Sequence, residues 1–441
     1  MRGIIAALEE RGLVSADAVP HKIMTWPANR VWDAALGLFE NLDSKDNLSE
    51  QENESLVPFN FIASSTLSGL SGCREWTCRM RRSGLLARYA ALYSDTLVIP
   101  WRLQLPDRMV ATEDFRSELV GTILSILEMR SVIEAGIIKL VHPQFHFCND
   151  CASIAINKID RVQEATKITR STHESSFWVE VNKSRAIRPH TFSVNGPEDY
   201  VEHGGIVVDF HKPPSWVPPG LRGRIPRRLL RKSGLVNYIF DEIARELVFH
   251  QLCTANYNAK LLTSLAGEAE ILSRLNSEER QASSVAALCA RLTHEIPLMS
   301  DVPIGTVLKI RTKEPTAFLQ YRLALSGIIK EYIEDRKTLT KNEGKQIYED
   351  RLLPDLIRLR RDVEIHRQRV RRKSTAVAAV TMLVVTLGLT AGLHASEFAA
   401  MGSGTLMGGL AAMLGDATSE PNVVKNHQMY FLLKLAEAAS S

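Results

Sequence analysis

Long apolar runs are scarce in this chain of 441 residues until its last quarter. The opening stretch, MRGIIAALEERGLVSADAVP, holds an apolar run of five residues before Glu9, Glu10 and Arg11. A signal peptide needs a longer uninterrupted core, so export by that route is not expected and a cytoplasmic location is. Cysteine is sparse as well, at six. In a reducing compartment those six read as thiols or metal ligands rather than as a disulfide framework. An excess of one charge is also missing, since 54 basic against 50 acidic residues leaves a net +4. No whole-chain argument for nucleic acid or membrane follows, and only local clustering counts. The common catalytic signatures are absent too. There is no Walker loop, dinucleotide fingerprint or H-E-x-x-H (His294-Glu295 runs into Ile-Pro), and SGLSG at Ser68–Gly72 lacks the spacing of a nucleophile elbow. These gaps weigh against an enzyme.

What is present is ordinary globular material, 45% hydrophobic and 24% charged, in a length that suggests two or three domains. The expected fold is α+β and helix-dominated. It has a mixed N-terminal body with short strands, and an all-helical C-terminal region ending in a hydrophobic helical hairpin. Composition divides the chain into a helical segment and acidic linker at 1–55, an α+β domain at 56–211 and a basic Pro/Arg-rich linker at 212–232. A helical domain at 233–373, the hairpin at 374–415 and a tail at 416–441 follow. Helices are expected around Ile4–Leu8 and Val31–Leu42, where Trp32, Ala35, Leu36 and Phe39 share a face. The segment 112–135 reads as one helix with Phe115, Leu119, Ile123, Ile126 and Ile133 near one stripe, and 59–92 reads as helix-compatible. The short β-branched runs 96–100, 136–141, 177–181 and 205–209 read as strands. Beyond the linker, 235–262, 268–275, 278–292 and 316–335 read as helices, the last with Phe318, Tyr321, Leu325, Ile328 and Tyr332 on one face.

The strongest physical signal is Ser374–Gly415. From Ser374 to Ser396 no residue carries a formal charge, and roughly 20 apolar residues span a bilayer core. Phe398–Gly415 forms a shorter, glycine-rich second arm. Arg367, Arg369, Arg371, Arg372 and Lys373 come directly before the first arm, a cluster that favours the cytoplasmic face or anionic headgroups. Gly388 with Gly392, and Gly404 with Gly408, give each arm small residues four apart for close helix contact. The simplest arrangement is a hairpin with both ends in the cytoplasm. A buried Ala/Gly-rich helical pair is the alternative. Ahead of it, Leu352, Leu356, Leu359, Val363, His366 and Val370 follow coiled-coil spacing, readable as a helix packed on its own domain or as a self-associating seam.

Three weaker patterns carry candidate sites. Cys148 and Cys151 stand in C-x-x-C spacing, with Cys73 and Cys78 as a looser pair and His146 nearby. Four thiolates would close a structural zinc site, and buried thiols are the alternative. Arg222, Arg224, Arg227, Arg228, Arg231 and Lys232, with Trp216, could hold phosphates of lipid or nucleic acid, or form a solvated basic loop. Arg361-Asp-Val-Glu-Ile-His366 resembles the R-x4-H motif of HEPN-type ribonucleases over those six residues. The resemblance implies an all-helical enzyme that cuts RNA across a dimer, with Arg361 steadying phosphate charge and His366 as acid/base. The leading expectation is a membrane-associated cytoplasmic protein at the inner face of a membrane. It would act as sensor, scaffold or oligomerising effector, with lipid and further copies of itself as partners. A soluble HEPN-like nuclease or nucleic-acid binder is the competing one.

Overall fold

A computed structural model describes residues 3–43, 59–70, 75–106, 111–142, 149–182, 191–197, 200, 206–210, 214–216, 223–257, 259–263, 266–274, 302–335, 348–355, 357–359, 361, 427 and 430–440. The chain divides into two compact units, Met1–Glu295 with Ile333–Thr338, and Ile296–Tyr332 with Leu339–Ser441. In order, the first unit carries α1 (Ile4–Glu10), α2 (Ala18–Thr25), α3 (Ala28–Glu40), β1 (Asn60–Ala63), α4 (Ser65–Ser68), α5 (Trp76–Tyr93) and β2 (Thr96–Pro100). It continues with α6 (Glu113–Glu128), α7 (Arg130–Glu134), β3 (Ile138–Val141), α8 (Asn149–His173), β4 (Trp178–Asn182), β5 (Thr191–Asn195) and β6 (Ile206–Asp209). Then come β7 (Gly223–Arg224), α9 (Arg227–Ser233), α10 (Leu235–Tyr257), β8 (Lys260–Leu262) and α11 (Ala266–Ser273). The second carries α12 (Ile304–Lys313), α13 (Pro315–Asp335) and α14 (Tyr430–Ser440). The fold is helix-dominated α+β.

Two four-stranded sheets organise the first unit. One is parallel, in the order β3-β2-β1-β8, and the other antiparallel, in the order β6-β5-β4-β7. Parallel neighbours need a crossover, which α5 supplies between β1 and β2, and α6 with α7 between β2 and β3. A sheet covered on both faces is largely apolar, and in β3 Ile138, Leu140 and Val141 are buried, with buried Lys139 offset by the charge of Asp43. Phe61 of β1 meets the rings of Tyr89 and Tyr93 from α5. Ile62, Val98 and Val141 turn the other way, toward Phe249, Cys253 and Tyr257 of α10. Asp43, just past α3, extends the β3 edge: its N–H donates to the Leu140 carbonyl at 2.7 Å, and its carboxylate accepts from the Leu140 N–H at 3.1 Å.

The antiparallel sheet is inserted in sequence between β3 and β8. Val179, Phe192 and Val194 face a core completed by Leu235, Ile239, Phe240, Ile243 and Leu247 of α10. At 1.5 Å per residue the 23-residue α10 is roughly 34 Å long, and it serves both sheets. Its start is sharp because α9 ends on left-handed Gly234 (φ +66°) and the Ser233 hydroxyl accepts from the Leu235 N–H.

Several expectations shift. Asn60–Ala63 is a central strand, not part of a helix, and Lys260–Leu262 is the fourth parallel strand rather than the end of α10. The expected 112–135 helix breaks at Met129. On α3 the buried stripe is Val31, Ala34, Ala35 and Leu38, one position round from the one expected, and Trp32, Leu36 and Phe39 are half-buried. In the stretch 212–232, Gly223–Arg224 pairs with β4 and Arg227–Ser233 is helical. On α13, Phe318, Tyr321 and Leu325 are buried as expected, Ile328 is half-buried, and the Tyr332 side chain lies outside the described residues.

Truncating the α10 core should destabilise the whole first unit. Leu247→Ala is expected to cost about 2–5 kcal/mol, whereas Tyr238→Ala, at a half-exposed position, should stay within about 0.5 kcal/mol. Urea unfolding of the two variants checks this.

Candidate functional site

Chemistry in parallel sheets collects at the carboxyl ends of the strands, where crossover helices begin. Here β1 runs into Ser64, β2 into Trp101 and Arg102, and β8 into Thr263. Beside β1 the loop 64–70 is closed by a buried guanidinium. Arg79, on the first turn of α5 and 1% exposed, donates through Nε to the Gly69 carbonyl at 2.7 Å, and through Nη2 to the Leu70 carbonyl and to Thr122 Oγ1. Its Nη1 lies 3.0 Å from Glu118 of α6. Ser125 donates to the Gly69 carbonyl at 2.9 Å, and Ser83 to the Ser68 carbonyl at 2.9 Å. Gly121 makes the approach possible, because a Cβ there would sit 2.4 Å from Arg79 Nη1. At β8, Thr263 donates to Glu268, and both are buried. The β1 and β8 ends are therefore closed by side chains of the fold itself.

At β2 the edge is open. A cavity of about 500 Å³ is lined by Arg79, Arg102, Leu103, Gln104, Asp114, Phe115, Ser117 and Glu118. It lies beside Arg79 on the first turn of α5 and the first residues of α6, where the Thr112 side chain already caps the Phe115 N–H. Arg102 is held from behind by α10. Its Nη2 donates to Glu246 Oε2 at 2.6 Å, and the guanidinium lies 3.6 Å above the Phe249 ring. Its Nε is buried with no hydrogen-bond partner.

Glu246, Phe249, His250 and Cys253 share one face of α10 by their three- and four-residue spacing. His250 Nε2 lies 3.3 Å from Glu246 Oε2. Burial pulls the imidazole below its ordinary range, against the opposing pull of Glu246, and Arg102 adds to the lowering. Cys253 is pushed up to about 12 by burial, with Arg102 and Glu246 acting in opposite directions. It stays a thiol and packs against the sheet, so it is no nucleophile.

A second polar cluster joins α8 to α11. Glu270 accepts from Tyr200, from His173 at 3.2 Å and from Arg274 at 2.9 Å. Burial alone would raise its pKa, but these hydrogen bonds outweigh it and hold the carboxyl below its usual range.

The residues singled out from sequence lie elsewhere. Cys73 and Cys148 are outside the described residues, Cys151 is described only as backbone in α8, and Cys78 is half-buried on α5. Among the described residues no group of three His, Cys, Asp or Glu is placed to hold a metal. Arg222 is outside them. Arg227, Arg228, Arg231 and Lys232 are exposed on α9 around buried Leu230, and Arg224 lies over the Trp178 ring at 5.3 Å. Arg361 is exposed, whereas His366, Arg367, Arg369, Arg371, Arg372, Lys373 and all of 374–415 are outside the described residues. Of the seam positions, Leu352 and Leu359 are buried within the single chain.

Sequence reading missed Arg79, Arg102 and Asp114, which are scattered along the chain. One signal was available: Arg102 follows a buried strand almost directly, at the end where such sheets bind ligands. Comparison with family models, with curated proteins and with solved structures finds no match for this chain.

Two outcomes follow from the site. Gly121→Ala should drive a methyl into the Arg79 guanidinium and cost about 1–3 kcal/mol, read as a lowered thermal midpoint. His250 has a depressed folded pKa, so its contribution is full above the unfolded value near 6.5 and is lost as pH falls through the folded one. In that window stability should decline by up to about 1.4 kcal/mol per pH unit. Urea unfolding across pH should show a shallower decline in His250→Gln.

Proposed function

We propose that the chain is a membrane-associated protein acting as sensor, scaffold or oligomerising effector, attached through 374–415 as a two-armed hydrophobic hairpin. One observation carries this reading. The helix that follows the apolar stretch packs against helices that precede it: Phe431 of α14 stacks on Tyr321 at 5.4 Å and meets Phe318 edge-on at 5.1 Å, both from α13. Tyr430, Phe431, Leu432, Leu433 and Leu435 are all buried there. A segment whose two flanks are packed together must leave and re-enter on one side, so its bilayer crossings come in even number. Two arms satisfy that condition and one long span does not.

Charge supports a cytoplasmic side for the first flank. The run Arg367, Arg369, Arg371, Arg372 and Lys373 stands where a cytoplasmic flank is favoured. Glycines four apart in each arm suit close packing in lipid, within one hairpin or between copies. Among the described residues no helix is long and apolar enough to cross a membrane, and the hairpin lies outside them.

Fractionation and topology mapping test the reading. Full-length protein should sediment with membranes, resist high salt and dissolve in detergent, and tags at the two ends should be cut by protease from the same face. Removal of 374–415 should move the protein to the supernatant with its thermal midpoint near that of the full chain. Full-length protein in the supernatant without detergent, or tags on opposite faces, would sink the hairpin.

A further inference from the structure

Arg227, Arg228, Arg231 and Lys232 are all exposed on α9, in the first unit. A helix turns about 100° per residue, which sets these four within one arc of about 140°. Buried Leu230 and half-buried Leu229 take the rest of the circumference and pack on the core of the antiparallel sheet. The scaffold beneath is fixed at both ends. Just ahead of α9 the Ile225 N–H donates to the Val179 carbonyl at 2.8 Å with its side chain buried, and left-handed Gly234 ends the helix. Exposed arginines elsewhere find a carboxylate: Arg245 lies 2.8 Å from Glu242, and Arg358 3.6 Å from Asp355. Among the described residues none of the four on α9 does so, and Arg227 donates only to a neutral acceptor, the Ser175 carbonyl at 3.3 Å. Arg224 is set apart from them, because exposed Glu180 stands opposite it across the β4–β7 pair and the Trp178 ring lies beneath it.

Like charges one helical turn apart, as Arg227 with Arg231 and Arg228 with Lys232, repel one another. An anionic surface relieves that repulsion and adds attraction of its own. We propose that this face of α9 docks on the anionic headgroups of a membrane. It rests on the membrane reading above for the presence of a bilayer, and on α9 alone for the contact. Size and shape favour lipid over nucleic acid. The seven residues of α9 span roughly 10 Å, and four cations are fewer than the about 6–10 phosphate contacts of a duplex-binding protein. Binding of single strands uses exposed rings among the charges, whereas Trp178 is half-buried beneath Arg224. A headgroup layer asks for neither a groove nor stacking, and each cation brought to it is worth about a fivefold gain in partition. The apolar side of α9 is spent on the protein core, so the contact is electrostatic and salt reverses it.

Chemical footprinting of the full chain tests this, with Lys232 acylation and arginine labelling at 227, 228 and 231 read by mass spectrometry. Three probes are compared: vesicles of phosphatidylcholine alone, vesicles of phosphatidylcholine with phosphatidylserine, and an RNA duplex. Phosphatidylserine should slow labelling of the four residues about tenfold or more relative to phosphatidylcholine alone, and high salt should restore it. Arg228→Gln with Arg231→Gln, both exposed, should return Lys232 to within about twofold of its rate on phosphatidylcholine without moving the thermal midpoint. Arg228→Lys with Arg231→Lys should keep the slowing, since charge rather than guanidinium shape makes the contact. The proposal is overturned if labelling is equal on the two vesicles, if the glutamine pair is slowed like the parent, or if the RNA duplex protects these residues and phosphatidylserine does not. Retention on phosphatidylcholine alone reads 374–415, and the added effect of phosphatidylserine at Lys232 reads α9. A chain that stays off phosphatidylcholine yet is protected by phosphatidylserine sinks the hairpin and supports this face, and the reverse pattern does the opposite.

Discussion

One helix has to satisfy two sheets at once, and the first unit is built around that constraint. The amino-terminal half of α10 buries Leu235, Ile239, Phe240, Ile243 and Leu247 in the core of the antiparallel sheet. Its carboxyl half turns Phe249, Cys253 and Tyr257 onto Ile62, Val98 and Val141 of the parallel one. Neither four-stranded sheet has a complete apolar cover without it. The polar residues on its second half, Glu246 and His250, meet Arg102 where β2 ends. The helix that joins the cores thus also fixes the charge that lines the cavity.

Two cations differ at that edge, Arg79 buried and Arg102 half-buried. Arg79 is surrounded by carbonyls, a hydroxyl and a carboxylate, and its partners are parts of the fold. Arg102 is held from one side by Glu246 and Phe249 and keeps a buried donor unmatched. Burial with full pairing makes Arg79 a strut of the fold. The difference lies in hydrogen bonds rather than in residue type.

What could be read along the chain follows from periodicity. The strand 96–100 and the aromatic face of α13 carried their pattern locally, in β-branched residues or in three- and four-residue spacing. Asn60–Ala63 and Lys260–Leu262 did not, because strands of four and three residues are too short for a period, and their identity comes from pairing with distant neighbours. The α3 stripe was misplaced by one position because Trp32 and Phe39 are large, yet tertiary contact favoured the smaller Ala34 and Leu38. The cavity was illegible for a similar reason. Arg79, Arg102 and Asp114 share no motif, and only the crossovers of a parallel sheet bring them together.

The return of α14 to α12 and α13 also sets an order of events. A ribosome delivers the chain from its amino end, and domains complete themselves as their last partner emerges. Phe431 is made after the whole apolar stretch, so Phe318 and Tyr321 wait for their cover until 374–415 has already left the ribosome. The apolar stretch is therefore outside the ribosome before the second unit can close.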